Sequence, residues 1–207
     1  MKEFPCQLYL ISPLDVGGDF PARLEAALTA GPVAAFQFRV KDLDQHEAAA
    51  LAEPLQAICA AHDVAFIVND SVALAKRLKA DGVHMGQGDG DVREARELLG
   101  SNAQIGVTCH NSRHLAMEAA EAGADYVAFG AFYPSFTKTV EHVADLDTLQ
   151  KWSFITEVPC VAIGGITLDN AKPLIDAGAD FIAVSSAVWS HPQGPAEAVK
   201  AFNALLA

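Results

Sequence analysis

Along the whole chain, short runs of β-branched, aromatic and aliphatic residues alternate with longer Ala- and Leu-rich stretches. The short runs have the composition of strands buried on both faces, and the longer ones suit helices packed over them. Eight strands are predicted, at residues 8–11, 33–38, 65–68, 82–85, 103–108, 126–129, 160–163 and 181–184. Helices are predicted at 21–29, 44–61, 71–79, 92–99, 112–122, 146–154, 168–177 and 195–206. Regular βα alternation demands crossover connections and therefore a parallel sheet. Eight units in 207 residues fit one α/β domain over residues 1–207, a single (β/α)8 TIM barrel, for which about 200 residues is the lower limit. An open doubly wound sheet is the alternative, and it too gathers ligands at the C-terminal strand ends.

A short repeat supports the barrel. Ala80-Asp81-Gly82-Val83, Ala124-Asp125-Tyr126-Val127 and Ala179-Asp180-Phe181-Ile182 each close a helix and open a strand. Those aspartates belong to the end of the barrel opposite the chemistry, so a structural role is expected of them.

The stretch 33–41 carries the sharpest pattern. Gln37, Arg39 and Lys41 fall at alternate positions, while Phe36, Phe38 and Val40 take the other face. If the apolar face is packed, Arg39 and Lys41 are driven toward an interior or cleft, where an unpaired charge is costly. An anionic ligand such as a phosphate meets that need; an internal salt-bridge pair is the alternative.

Composition narrows the classes. With 51% hydrophobic and 19% charged residues the chain has the makeup of a compact folded protein. Its formal net charge of -12 argues against binding to nucleic acid or to an anionic membrane surface. The apolar run 8–11 is too short for a signal peptide or a span, so a cytoplasmic location is expected. Cys6, Cys59, Cys109 and Cys160 form no Cys-x-x-Cys pair, which leaves reduced thiols as the expectation.

Further candidates cluster at the C-terminal strand ends. Asn69-Asp70 follows the third strand, and Gly86-Gln87-Gly88-Asp89-Gly90-Asp91 follows the fourth. Two carboxylates arriving at one rim suit Mg²⁺, which takes few protein ligands and bridges to phosphates. Helix capping is the competing role, preferred for Asp91 but not for Asp70 and Asp89. After the sixth strand comes a long connection, 130–145, that carries Ser135, Thr137 and Lys138, groups suited to oxyanions. Gly164-Gly165 and Ser185-Ser186 follow the seventh and eighth strands, where barrels commonly bind phosphate. Thr108 and His110 end the fifth strand; for His110 a core or capping role is preferred to a catalytic one, and His84 is read as packing.

In this order the motifs Gln37-x-Arg39-x-Lys41, Asn69-Asp70, His84-Met85-Gly86-Gln87 with Asp89, Gly106-Val107-Thr108 with His110, Thr137-Lys138, Ile163-Gly164-Gly165-Ile166 and Ser185-Ser186 resemble the thiamine-phosphate synthase family across essentially the whole chain. The resemblance implies a transferase of thiamine biosynthesis. It would join 4-amino-2-hydroxymethyl-5-methylpyrimidine pyrophosphate to thiazole phosphate, with Mg²⁺ as cofactor. By position, Gln37, Arg39, Lys41, Asn69 and Lys138 would hold the pyrimidine pyrophosphate, with Thr108 beside it. Asp70 and Asp89 would ligate Mg²⁺, and Ser135, Thr137, Gly165, Ser185 and Ser186 would hold the thiazole phosphate. Arg39, Lys41 and Lys138 would stabilise the departing pyrophosphate. Ser135 stands where the family usually has Thr, Ala131 where Pro is usual, and Gly88 where an acidic residue is common; 140–145 lacks the usual Gly. The alternatives are a thiazole tautomerase of similar fold, with His110 as proton carrier, and a non-catalytic thiazole-phosphate-binding barrel. Small-molecule substrates are the expected partners, and a homo-oligomer is compatible with the sequence.

Overall fold

The computed structural model describes residues 5–134 and 142–207. Eight parallel strands close into a barrel in sequence order: β1 (Gln7–Ile11), β2 (Ala35–Phe38), β3 (Ala65–Asn69), β4 (Gly82–Met85), β5 (Gln104–His110), β6 (Tyr126–Phe129), β7 (Cys160–Ile163) and β8 (Phe181–Val184). β8 pairs with β1, placing Leu8 beside Ile182 and Tyr9 beside Ala183. The helices are α1 (Phe20–Ala30), α2 (Gln45–Ala61), α3 (Val72–Leu78), α4 (Val92–Leu99), α5 (Arg113–Ala122), α6 (Leu146–Ile155), α7 (Lys172–Asp176), α8 (Ser186–Trp189) and α9 (Pro195–Leu206). This is the expected (β/α)8 barrel. No helix among the described residues is long and apolar enough to cross a membrane.

Helix starts follow their capping chemistry. Asp44 caps α2 in a reciprocal box with Glu47, and the side chains of Ser71, Asp91, Ser112 and Asp145 cap α3, α4, α5 and α6. Asp91 is thus the cap it was expected to be. Ser71, not Asp70, caps α3, which leaves the Asp70 carboxylate for other work.

Two elements depart from the sequence pattern. The predicted helix 168–177 is only α7, because the Asn170 side chain accepts from the Thr167 N–H and folds the start into a turn ahead of Pro173. The four-residue α8 was not anticipated. It carries Trp189, whose indole N–H donates to the Ile11 carbonyl at 2.6 Å.

Each barrel wall separates two cores. Outside, Phe36, Phe38, Phe66, Leu55, Trp152 and Phe202 are essentially buried between strands and helices. Inside lies a smaller cluster of Tyr9, Ile11, Tyr126, Ala128, Val161 and Ala183. Alternate residues of every strand point inward in a barrel, so the interior must be filled by side chains. Tyr126 fills it only because residue 106 is glycine: a Cβ there would lie 2.0 Å from Cζ of Tyr126.

The repeated aspartates close the N-terminal end. Asp81 accepts the Phe66 N–H at 2.7 Å, Asp125 the Ile105 N–H at 2.6 Å and Asp180 the Cys160 N–H at 2.7 Å. Each precedes an even-numbered strand and braces the odd-numbered strand before it. Ala34 holds the corresponding place before β2 and lacks the carboxylate.

Candidate active site

The 33–41 segment is a strand only as far as Phe38. Gln37 is buried inside the barrel, whereas Arg39 is half-buried and Lys41 exposed on the loop that follows, so the alternating-face argument holds for Gln37 and stops there. Phe36 and Phe38 pack outward as expected. Ser12 fixes the turn: its hydroxyl accepts the Arg39 N–H at 2.8 Å and donates to the Arg39 carbonyl at 3.1 Å. Neither Arg39 nor Lys41 forms an ion pair with a described residue.

Both cations act electrostatically on Asp70. Asp70 has a left-handed backbone, φ 63°, and its N–H donates to the His84 carbonyl at 2.8 Å. Aspartate tolerates that region better than most residues, and such strain is commonest where function requires it. Asp89 folds back so that its Oδ2 accepts the Gly86 N–H at 2.7 Å; a Cβ at residue 86 would stand 3.0 Å from that oxygen. The Asp89 carboxylate stands near enough to Asp70 to act on it. Partial burial raises Asp70 above the usual carboxylate range, the nearby Asp89 raises it further, and Lys41 and Arg39 oppose the rise. Two carboxylates acting on each other in this way call for a proton or a cation between them. The pair fits Mg²⁺ on its donor chemistry, hard oxygens with few protein ligands. No group of three or more potential ligands occurs among the described residues. Asn69, half-buried at the end of β3, adjoins the pair.

The barrel interior holds a chain of polar side chains. The Gln37 amide Nε2–H donates to the Tyr9 hydroxyl at 3.1 Å, and the Tyr9 and Tyr126 hydroxyls lie 3.0 Å apart. Tyr126 meets His84 Nδ1 at 3.1 Å, and His84 Nε2 meets the Thr108 hydroxyl at 2.8 Å. Burial pushes Tyr9 up to about 12 and Tyr126 well above the usual phenol value, so both stay neutral. His84 is therefore more than packing. Its buried ring is held by two hydroxyls.

On the far side, Gly164 and Gly165 both have positive φ, and a Cβ on Gly165 would lie 2.3 Å from the Pro134 carbonyl oxygen. Glycine is needed for the backbone and for this close approach. The Tyr133 N–H donates to Gly164 O at 3.1 Å, and the Ala131 N–H donates to His142 O at 3.1 Å. Pro134 and His142 are thereby anchored at the rim; the Gly130–Ala131 peptide is cis. Ser135, Thr137 and Lys138 lie outside the described residues. Ser185 follows β8, its hydroxyl donating to the Ser12 carbonyl at 3.3 Å, and Ser186 opens α8. His110 extends β5 by way of a bulge, and its ring lies 4.5 Å from that of His142.

Sequence reasoning passed over Ser12, Tyr9 and Tyr126. An inward phenol inside a barrel must find a polar partner, and that was the available signal for the tyrosines. Ser12 gave none.

The sequence model of the thiamine monophosphate synthase family matches residues 8–188. The chain belongs to that family. It is 71% identical over 204 residues to the thiamine-phosphate synthase of Erythrobacter litoralis (strain HTCC2594), covering 97% of this chain and 95% of that one. It is 53% identical over 202 residues to the thiamine-phosphate synthase of Rhodospirillum centenum (strain ATCC 51521 / SW), covering 97% and 98%. The thiamine phosphate pyrophosphorylase of Pyrococcus furiosus superposes with a TM-score of 0.85 at 31% identity, over 97% of this chain and 95% of that one. Thiamine-monophosphate synthases are enzymes that condense a pyrimidine with a thiazole unit.

Proposed function

We propose that this chain joins 4-amino-2-hydroxymethyl-5-methylpyrimidine pyrophosphate to thiazole phosphate, giving thiamine phosphate and pyrophosphate, as a cytoplasmic enzyme that requires Mg²⁺. The observation that carries this reading is the placement of two cations that form no ion pair with a described residue, Arg39 and Lys41, beside a mutually repelling pair, Asp70 and Asp89, at the C-terminal mouth. A diphosphate and a divalent ion answer both at once.

In the reaction the bond between the pyrimidine methylene carbon and the pyrophosphate oxygen breaks, and its electron pair leaves with pyrophosphate. The thiazole nitrogen lone pair then forms the new bond to the resulting pyrimidine-methyl cation. No protein nucleophile takes part. Arg39, Lys41 and Lys138 stabilise negative charge as it grows on the leaving group, which is where fixed positive groups accelerate such a step. Asn69 and Gln37 orient the pyrimidine pyrophosphate beside Thr108. Gly165, Ser185, Ser186, Ser135 and Thr137 hold the thiazole phosphate, so that its ring nitrogen faces the methylene. Mg²⁺ held by Asp70 and Asp89 would supply Lewis-acid neutralisation of the diphosphate.

The test is pyrophosphate release from the two substrates, with and without Mg²⁺. Release that needs both substrates and the ion is expected. Turnover undiminished in chelator would remove the role given to Asp70 and Asp89; isomerisation of a thiazole phosphate carboxylate without pyrophosphate release would make the chain a tautomerase.

A further inference from the structure

Five side chains from five strands, Gln37 on β2, Tyr9 on β1, Tyr126 on β6, His84 on β4 and Thr108 on β5, form one continuous hydrogen-bonded line through the barrel interior. Its two ends are the residues assigned above to the pyrimidine substrate, and its middle three have been given no role. The ring contacts make it a built feature. Tyr9 and Tyr126 meet edge to face with centroids 6.2 Å apart, and the His84 ring stacks on Tyr126 at 5.6 Å. Gly106 leaves the space that Tyr126 occupies.

A hydroxyl has one proton to give, and a neutral imidazole has one donor and one acceptor nitrogen. Those limits make the line directional. With the Gln37 N–H donating to Tyr9, the Tyr9 hydroxyl gives its proton to Tyr126 and Tyr126 gives its own to His84 Nδ1. The His84 proton then sits on Nε2 and points to the Thr108 oxygen. Thr108 is left with a hydroxyl proton to offer, and Gln37 with its carbonyl oxygen. Turning the Gln37 amide over reverses every link. Tyr9 then donates to Gln37, the His84 proton moves to Nδ1, and Thr108 spends its proton on Nε2 and offers only a lone pair.

We propose that Tyr9, Tyr126 and His84 are positioning residues that couple the amide orientation of Gln37 to the hydrogen-bonding sense of the Thr108 hydroxyl, so that the barrel floor presents one acceptor and one donor in concert to an aminopyrimidine edge. An amino group beside a ring nitrogen is itself one donor and one acceptor, and it fits one sense of the line. The ligand class rests on the synthase reading; the line itself does not.

Two measurements test this. In ¹⁵N-histidine-labelled, substrate-free protein, assigned with His84→Gln, His84 is expected as a single neutral tautomer with its proton on Nε2. Tyr126→Phe cuts the line at its centre and is expected to leave the tautomers mixed. It should also raise KM for the pyrimidine pyrophosphate by about tenfold while KM for thiazole phosphate changes by less than about twofold. Tyr9→Phe, which removes a different link, is expected to do the same and covers the case in which Tyr126→Phe fails to fold. An imidazolium or a mixed tautomer in the unmutated protein overturns the proposal, as does an unchanged KM ratio in a folded variant. A fixed tautomer in a protein that shows no synthase turnover leaves the coupled line standing and removes only its ligand.

Discussion

Asp70 stands close enough to Asp89 at the barrel mouth to feel its charge, and burial together with that second carboxylate raises Asp70 above its ordinary range. A raised folded-state value means that this group's contribution to stability is fully present below the unfolded range, about 3.9, and is lost as pH rises through the folded value. At neutral pH without metal the two groups repel. Asp89→Asn keeps an acceptor for the Gly86 N–H while removing the charge. The metal-free melting temperature is expected to rise by about 1–3 °C at about pH 8, with the gain shrinking toward about pH 4. On the proposed metal role, Mg²⁺ should stabilise the unmutated chain and leave the variant unchanged. Calorimetry with and without MgCl2 reads both effects, and a fall at the higher pH would count against repulsion in the pair.

Arg39→Ala removes a guanidinium that has no ion pair with a described residue. Its effect therefore belongs to rate: kcat should fall by about tenfold or more while the melting temperature moves by less than about 1 °C. Steady-state pyrophosphate release and a thermal melt check it. A kcat within about twofold of the original would exclude Arg39 from the leaving-group site.

Ser12→Ala tests the same cation through its backbone. The Ser12 hydroxyl is the acceptor for the Arg39 N–H, and its loss should cost about 1–3 kcal/mol by leaving that group without a partner. Rate should fall as well, because the loop carrying Arg39 loses its clamp. If denaturant unfolding shows the loss but kcat stays constant, Ser12 serves only the fold.

At the opposite end, Asp125→Ala strips the partner from the Ile105 N–H and from Arg96 Nη2, which donates to the same oxygen at 2.5 Å. A loss of about 2–3 kcal/mol is expected, with kcat unchanged in the folded fraction. Urea denaturation and an activity assay separate the two. Altered kcat would mean that the far end communicates with the mouth.

Gly106→Ala places a methyl in the Tyr126 ring and should destabilise by about 1–3 kcal/mol. Coupling it with Tyr126→Leu should recover part of that loss in a double-mutant cycle. Strict additivity would show that the two residues do not meet.

The barrel was legible because its grammar is local: strand composition, helix caps and the thrice-repeated aspartate lie in contiguous residues. The bounds of β4, α4, β6, β7, β8 and α9 agree with the sequence reading. α7 was overextended because an Asn side chain at 170 competes for the backbone, a choice that periodicity does not record. Charge placement in the sequence singled out Arg39, Asp70 and Asp89, and the structure brings the first and last of these to bear on Asp70. The line through His84 was not. It joins residues as far apart as Tyr9 and Tyr126, which only barrel closure brings together.

Aspartate thus serves at both ends of one barrel under opposite conditions. Below, each of Asp81, Asp125 and Asp180 faces a backbone amide and is satisfied within the chain. Above, Asp70 faces another acid. The fold can therefore stand with its mouth in a state of electrostatic tension, and on the proposed function a divalent ion would relax a surface whose scaffold is already complete.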